Sequence, residues 1–235
     1  MPNIVVVHNR KGGAGKTTMS IHIADGLSKS GQKVLLIDGD SQGNCALGLG
    51  LNFGTDTEDW LMRNRWHPHT ISPTLDLLAS GPSETVWWES VTLALLVKES
   101  HWITSYDWVI IDTAPGDSLF NRAVIRWSSK IIIPANLQFY SAAGVLNLLK
   151  SVPRERVLGI VPNFYDLRTK RTLEVLENIK AQFPMMLSPR PIRQCVDLER
   201  ASEAGQSIWD WNPHATAADD YYDLIEWMVS SYGEN

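Results

Sequence analysis

The sequence predicts an α/β fold, a mostly parallel twisted sheet flanked by helices on both faces. Short, continuous, β-branched apolar runs read as strands buried on both sides. Amphipathic segments separate them, and that alternation means right-handed βαβ units. Several runs end directly in Gly, Asp or Asn, the place where ligands of such sheets bind.

The first strand is Ile4-Val5-Val6-Val7, followed by a glycine-rich turn. Residues 17–30 then carry Ile21, Ala24 and Leu27 at helical spacing, and Gly31 closes the helix. A second strand, residues 33–38, ends on Asp38. Residues 49–83 are rich in Gly, Pro, Thr and Asn and give no assignable element, whereas residues 84–101 read as a helix. Strands follow at 106–112, 130–134 and 156–162, with helices over about 118–127, 139–151 and 169–182. A last helix over 215–232 puts Ala218, Tyr222, Ile225, Val229 and Tyr232 on one face. No repeat or linker interrupts the pattern, so residues 1–235 are expected to form one domain.

Composition narrows the class. Hydrophobic residues make up 44% and charged residues 20%, which suits a globular core and argues against disorder. No apolar run approaches the roughly 18 residues of a membrane span, and the start lacks the pattern of a signal peptide. Cys45 and Cys195 are too few and too far apart to suggest a disulfide framework or a zinc site, which points to a reducing, cytoplasmic setting. The net charge is −5, yet residues 154–193 hold eight Lys/Arg against four acids, so the remainder carries −9. That asymmetry is either a solvated helix surface or a basic face on an acidic protein.

Between the first strand and first helix lies Asn9-Arg10-Lys11-Gly12-Gly13-Ala14-Gly15-Lys16-Thr17-Thr18. Glycines let successive backbone N–H groups point into one concavity, and the helix N-terminus adds its positive dipole end. Lys16 is placed to reach β- and γ-phosphates, and the Thr17 hydroxyl to ligate Mg²⁺. The usual G-x-x-x-x-G-K-[ST] pattern would want Gly at position 10; here Arg10 and an additional Lys11 open the loop.

The arrangement K-G-G-x-G-K-T-T resembles the deviant Walker A box of the ParA/MinD family of ATPases. Asp38-Gly39-Asp40-Ser41-Gln42-Gly43-Asn44 resembles that family's D-x-D-P-Q-G-N, with Ser41 in place of proline. Ile110-Ile111-Asp112-Thr113-Ala114-Pro115-Gly116 resembles its Walker B strand and second switch. The resemblance spans nearly the whole chain and is weakest over residues 50–105. It implies ATP and Mg²⁺ as ligands, held by Gly12, Gly13, Ala14, Gly15, Lys16, Thr17 and Thr18. Lys11 would reach across a two-fold axis to the partner's nucleotide, which makes ATP binding and homodimerisation one event. Asp40 would orient the attacking water, while Thr17, Asp38 and Asp112 would hold the metal and its shell. Asn163, after the fifth strand, either reads the adenine edge or caps a turn. Pro191-Ile192-Arg193 resembles the loop that walls the base, and residues 197–205 a recurrent helix-and-glycine segment.

Three branches of the family compete. An iron protein would need two suitably placed Cys per subunit, and Cys45 and Cys195 do not match. A MinD-type membrane ATPase would end in a basic amphipathic helix, whereas this tail has no Lys or Arg and carries Asp219, Asp220, Asp223, Glu226 and Glu234. A ParA-type partition ATPase remains, one whose ATP dimer binds DNA non-specifically and is released when an activator protein stimulates hydrolysis. Cations against phosphates suffice for such binding. Arg168, Lys170, Arg171, Arg190, Arg193 and Arg200 are the DNA-contact candidates, and the protein is expected on the nucleoid when ATP-bound. No helix-turn-helix precedes the loop, so operator-specific repression is not expected. Outside the family, the alternative is a P-loop small-molecule kinase. Ten tryptophans, among them Trp60, Trp66, Trp87, Trp88 and Trp102, are expected to pack, with any exposed subset available to an activator.

Overall fold

A computed structural model describes residues 1–83, 86–138 and 142–233. Its strands are β1 (Asn3–Val7), β2 (Val34–Gly39), β3 (His69–Ser72), β4 (Leu75–Leu78), β5 (Trp108–Thr113), β6 (Lys130–Asn136) and β7 (Val157–Asn163). They form one sheet in the order β3-β4-β2-β5-β1-β6-β7. Every pairing is parallel except the β3–β4 hairpin, so the doubly covered parallel sheet expected from the sequence is present.

The helices are α1 (Lys16–Lys29), α2 (Asn44–Gly48), α3 (Asp56–Arg63), α4 (Leu93–Glu99), α5 (Leu119–Trp127), α6 (Ala142–Leu149), α7 (Lys170–Gln182), α8 (Val196–Glu203), α9 (Ile208–Trp211) and α10 (Thr216–Gly233). Alternate strand residues serve the two faces. Ile4, Val6, Leu35, Ile37, Val109, Ile111, Ile131 and Ile133 enter one core with α3, α4 and α5. Val5, Val7, Val34, Leu36, Ile110 and Ile132 enter the other, with α1, α2 and α10.

The structure corrects the expectations in three places. Residues 49–83 contain α3 and the β3–β4 hairpin, whose four-residue strands are too short and polar to show a period. The helix expected over 84–101 is instead a 3₁₀ turn at 87–89, α4, and a second 3₁₀ turn at 100–103. Its first two residues, like the start of the helix expected from 139 and the terminal Glu234, lie outside the described residues. On α10 the buried stripe is Ala217, Ala218, Tyr221, Leu224, Ile225 and Met228, while Tyr222 and Val229 are exposed. The true face is therefore rotated from the expected one, although Ala218 and Ile225 belong to both. This stripe packs on α1.

Most of the tryptophans are structural. Trp60 is fully buried, meets Trp66 edge-on at 5.7 Å, and Trp66 stacks on Trp102 at 5.8 Å. Such pairs add to the large apolar area each ring buries. Trp211 is 40% exposed, so it does not belong to this packing.

His22 ties α9 to α1. Its Nδ1–H donates to Thr18 O at 2.6 Å, and its Nε2 accepts the Ile208 N–H at 3.1 Å. The ring stacks on Tyr221 at 4.8 Å. Burial holds its pKa down to about 4, and a proton on Nε2 would confront a backbone N–H. An unfolded histidine titrates near 6.5, so this contribution is intact above that pH and is lost as pH falls towards 4. Urea denaturation should show wild type losing about 1.4 kcal/mol per pH unit more than His22→Gln between pH 6 and 4.5. Parallel pH profiles for the two proteins would refute the assignment.

Candidate functional site

The sheet register sets the site. β2 and β5 pair so that Asp38 lies opposite Asp112, and Val7 of β1 lies opposite Asp112 on the other side. Both carboxylates are on the face covered by α1, and both are fully buried. Asp112 Oδ2 accepts from the Thr17 hydroxyl at 2.6 Å, and Oδ1 accepts from Ser20 Oγ at 3.1 Å. Asp38 accepts from two backbone N–H groups, Asp40 at 3.0 Å and Cys45 at 3.1 Å. Asp40 is buried beside them and accepts the Gln42 N–H at 3.0 Å.

Burial pushes the Asp112 pKa up to about 6, against the opposing pull of Thr17, Lys16 and Ser20. Burial and the neighbouring Asp112 raise Asp38 well above the usual carboxylate range. Burial lowers Lys16, which Asp112 and Asp40 partly offset. Two desolvated carboxylates beside a hydroxyl are a set of hard oxygen donors, which fits Mg²⁺. The set expected for the metal, Thr17, Asp38 and Asp112, is thus brought together.

The loop from Arg10 to Gly15 curls over this point. Gly13 and Gly15 have φ of 68° and 83°, left-handed values that glycine adopts without steric cost. The Lys16 ammonium donates back to Lys11 O at 3.3 Å, while the Lys11 side chain is exposed. α1 begins at Lys16, one residue before its expected start, so the backbone of Lys16, Thr17 and Thr18 is the helix N-terminus. Backbone donors, a positive helix end and Lys16 together fit a polyphosphate.

Three asparagines brace the loop. Asn9 accepts the Lys11 N–H at 2.9 Å and donates to Pro134 O. Asn136, at the end of β6, donates to Gly13 O at 2.9 Å. Asn163, at the end of β7, donates to Ala14 O at 3.0 Å, and its Oδ1 accepts the Phe164 N–H. Asn163 thus braces the turn, and it also lines the cavity beside the loop. Sequence reasoning misses Asn9, Asn136, Ser20 and Cys45. The signal for Asn136 is its place at a strand end, the same signal that singles out Asn163.

A cavity of about 230 Å³ adjoins the loop, with Thr18, Asn163, Phe164, Gln194, Cys195 and Leu198 in its walls. Phe164 holds φ of 57°, an unusual left-handed value for an aromatic residue, and such strain concentrates at binding sites. Pro191 is not among the lining residues. Arg193 is, but its guanidinium is committed to Asp220 at 2.7–3.0 Å and to Thr216 O.

The switch turn is tied to the same loop. Gly116 N–H donates to Arg10 O at 2.9 Å, and Asn121 donates to Ala114 O and Gly116 O.

The six basic candidates do not form one free patch. Arg168 is paired with Asp166, Arg190 with Asp223 at 2.7 Å, and Arg193 with Asp220. Arg168 and Arg190 stay largely exposed in these pairs, whereas the partner of Arg193 is buried. Lys170, Arg171 and Arg200 are exposed, with no ion pair among the described residues. Lys170 and Arg171 open α7, whose first turn holds no acid. Cations there oppose the helix dipole, so helix stability does not explain them.

A strand, a glycine loop, a helix N-terminus and two aligned carboxylates define a P-loop nucleotide-binding protein. Residues 5–208 match the family model described as the CobQ/CobB/MinD/ParA nucleotide binding domain, and the chain belongs to that family. It is 29% identical to the chromosome-partitioning ATPase Soj of Thermus thermophilus, over 98% of this chain and 96% of that protein. It is 27% identical to the sporulation initiation inhibitor Soj of Bacillus subtilis, over 98% and 100%. Among solved structures, apo McdA from Cyanothece superposes with a TM-score of 0.82 at 20% identity, over 97% of this chain and 100% of that one. The cell-division ATPase MinD of Pyrococcus furiosus also gives 0.82 at 20% identity, over 98% and 99%. At that identity these two likenesses establish the fold.

Gly15 tests the cradle. A Cβ there would collide with the Asn163 amide, and its φ of 83° carries a further cost of roughly 1–2 kcal/mol for alanine. Gly15→Ala should therefore weaken nucleotide binding at least tenfold by calorimetry. Affinity equal to wild type would remove the loop from the site.

Proposed function

We propose that this chain is a ParA-type partition or positioning ATPase. The observation that carries the reading is the Asp38–Asp112 pair, joined to α1 through Thr17, beneath a loop holding both Lys11 and Lys16. Chain-length similarity to two Soj proteins supports the partition branch.

When bound, Mg·ATP supplies the phosphoryl group and a divalent charge that screens the buried carboxylates. The backbone N–H groups of residues 12–18 cradle its phosphates, and Lys16 compensates charge on the β- and γ-oxygens. Thr17, Asp38 and Asp112 would hold the magnesium ion and its shell, and the ion would supply charge neutralisation at the phosphates. Asp40 positions the attacking water and draws its proton. Lys11, exposed at the mouth of the loop, reaches the nucleotide of a second copy, so the dimer forms only with ATP. Loss of the γ-phosphate frees the switch turn at Gly116, and the dimer separates.

Non-specific duplex DNA is the proposed surface partner. Lys170 and Arg171 are the strongest contacts, and an activator protein is proposed to trigger release. α10 itself keeps its apolar stripe buried and carries no Lys or Arg, so it is not an interfacial membrane helix. No described helix is long and apolar enough to cross a membrane.

Light scattering with Mg·ATP should show a dimer that co-sediments with DNA, and neither behaviour with ADP. Lys11→Ala should stay monomeric and unbound. Asp40→Ala should dimerise and bind DNA but release no phosphate. Binding to anionic liposomes in place of DNA would transfer the protein to the membrane branch. In a salt titration, Lys170→Ala with Arg171→Ala should shallow the log K against log salt slope by about 0.9 for each phosphate these two side chains neutralise. An unchanged slope would clear both residues of a role in DNA binding.

A further inference from the structure

Cys45 sits at the N-terminal end of α2, fully buried between the two carboxylates. Its backbone N–H holds Asp38 at 3.1 Å, and its Sγ lies 3.7 Å from Asp112 Oδ2. The thiol and one oxygen from each carboxylate all lie within 4.8 Å of one another. For a thiol hydrogen bond, 3.7 Å is long and weak. For two ligands of one tetrahedral ion it is close to ideal. A metal–sulfur bond of about 2.3 Å and a metal–oxygen bond of about 2.0 Å set the two atoms roughly 3.5 Å apart.

The donor set is also informative. Magnesium asks for six oxygens in octahedral array and has no use for sulfur. Two carboxylates and one thiolate suit Zn²⁺, Co²⁺ or Cd²⁺, with a fourth position open for water. All three side chains are fully buried, and among the described residues Asp38 accepts from backbone donors and Asp112 from hydroxyl and thiol donors. Thr17, whose hydroxyl donates to Asp112, is partly exposed.

We propose that Asp38, Cys45 and Asp112 form a binding site for a thiophilic divalent cation in the nucleotide-free protein, and that this cation competes with Mg·ATP. Binding displaces the thiol proton to solvent and forms a metal–thiolate bond. Competition follows because the ion takes Asp112 Oδ2, the oxygen that holds the Thr17 hydroxyl. The competition rests on the Mg·ATP reading above; the binding step does not.

Cobalt gives a direct readout. Titrating nucleotide-free protein with Co²⁺ should produce a sulfur-to-cobalt charge-transfer band in the near ultraviolet, saturating at one ion per chain and bleached by Zn²⁺. Cys45→Ser should abolish the band, Cys195→Ser should keep it, and Asp38→Asn should weaken cobalt binding at least tenfold. Circular dichroism of each variant checks folding, and the wild-type stoichiometry stands whether or not a variant folds. No band, or a band lost with Cys195→Ser and kept with Cys45→Ser, overturns the site. In protein shown to bind Mg·ATP, a band unaffected by saturating Mg·ATP overturns the competition. A Cys45-dependent band without ATP binding would keep the cation site and sink the ATPase reading, whereas ATP binding without a band would do the reverse.

Discussion

The burial of two carboxylates side by side is the constraint on which the rest of the site depends. Ionised groups of like sign do not stay at hydrogen-bonding depth in a protein interior without compensation. In this sheet the β2–β5 register makes Asp38 and Asp112 neighbours, and the backbone leaves no freedom to part them. Compensation comes from elements that must then be close: the hydroxyls of Thr17 and Ser20, the backbone N–H groups of Asp40 and Cys45, and the Lys16 ammonium. α1 is thereby fastened to the sheet at its N-terminal end by polar contacts and along its length by Met19, Ile23 and Leu27.

The loop above the carboxylates is shaped from the opposite direction. Its own sequence supplies glycines that permit the curl but nothing that fixes it. The fixing comes from amides on β6 and β7, which reach carbonyls of Gly13 and Ala14. A carbonyl so held cannot rotate inward, so the N–H of the next residue faces the concavity. Preorganisation of this kind matters because donors already aimed at a phosphate need no reorganisation when it arrives.

The central strands and the loop are legible in the sequence because the physics there is local. A run such as Lys130-Ile131-Ile132-Ile133 has few alternatives to a buried strand, and Gly13 and Gly15 announce backbone that other residues resist. Short elements are not legible. His69–Ser72 and Leu75–Leu78 become strands because β2 offers an edge, and no local pattern reveals that. The stripe on α10 is misplaced by sequence reasoning because Tyr222 and Val229 repeat at the same spacing as the true contacts one position earlier. Charge is the least legible quantity. Eight cations in one segment suggest a single face, yet three of the candidates are tied to Asp166, Asp220 and Asp223, two of which lie outside that segment. Cys45 carries no signal in its own spacing; only the fold brings α2 beneath the strand ends.

The hydrogen bond from Gly116 N–H to Arg10 O joins two segments more than a hundred positions apart. One leads into the exposed Lys11, and the other follows directly from Asp112. A ligand that favours one arrangement of the switch turn must also favour one arrangement of the loop entrance, and thermodynamic linkage makes the effect mutual. One backbone contact is enough to couple the two segments, with no separate sensor between them.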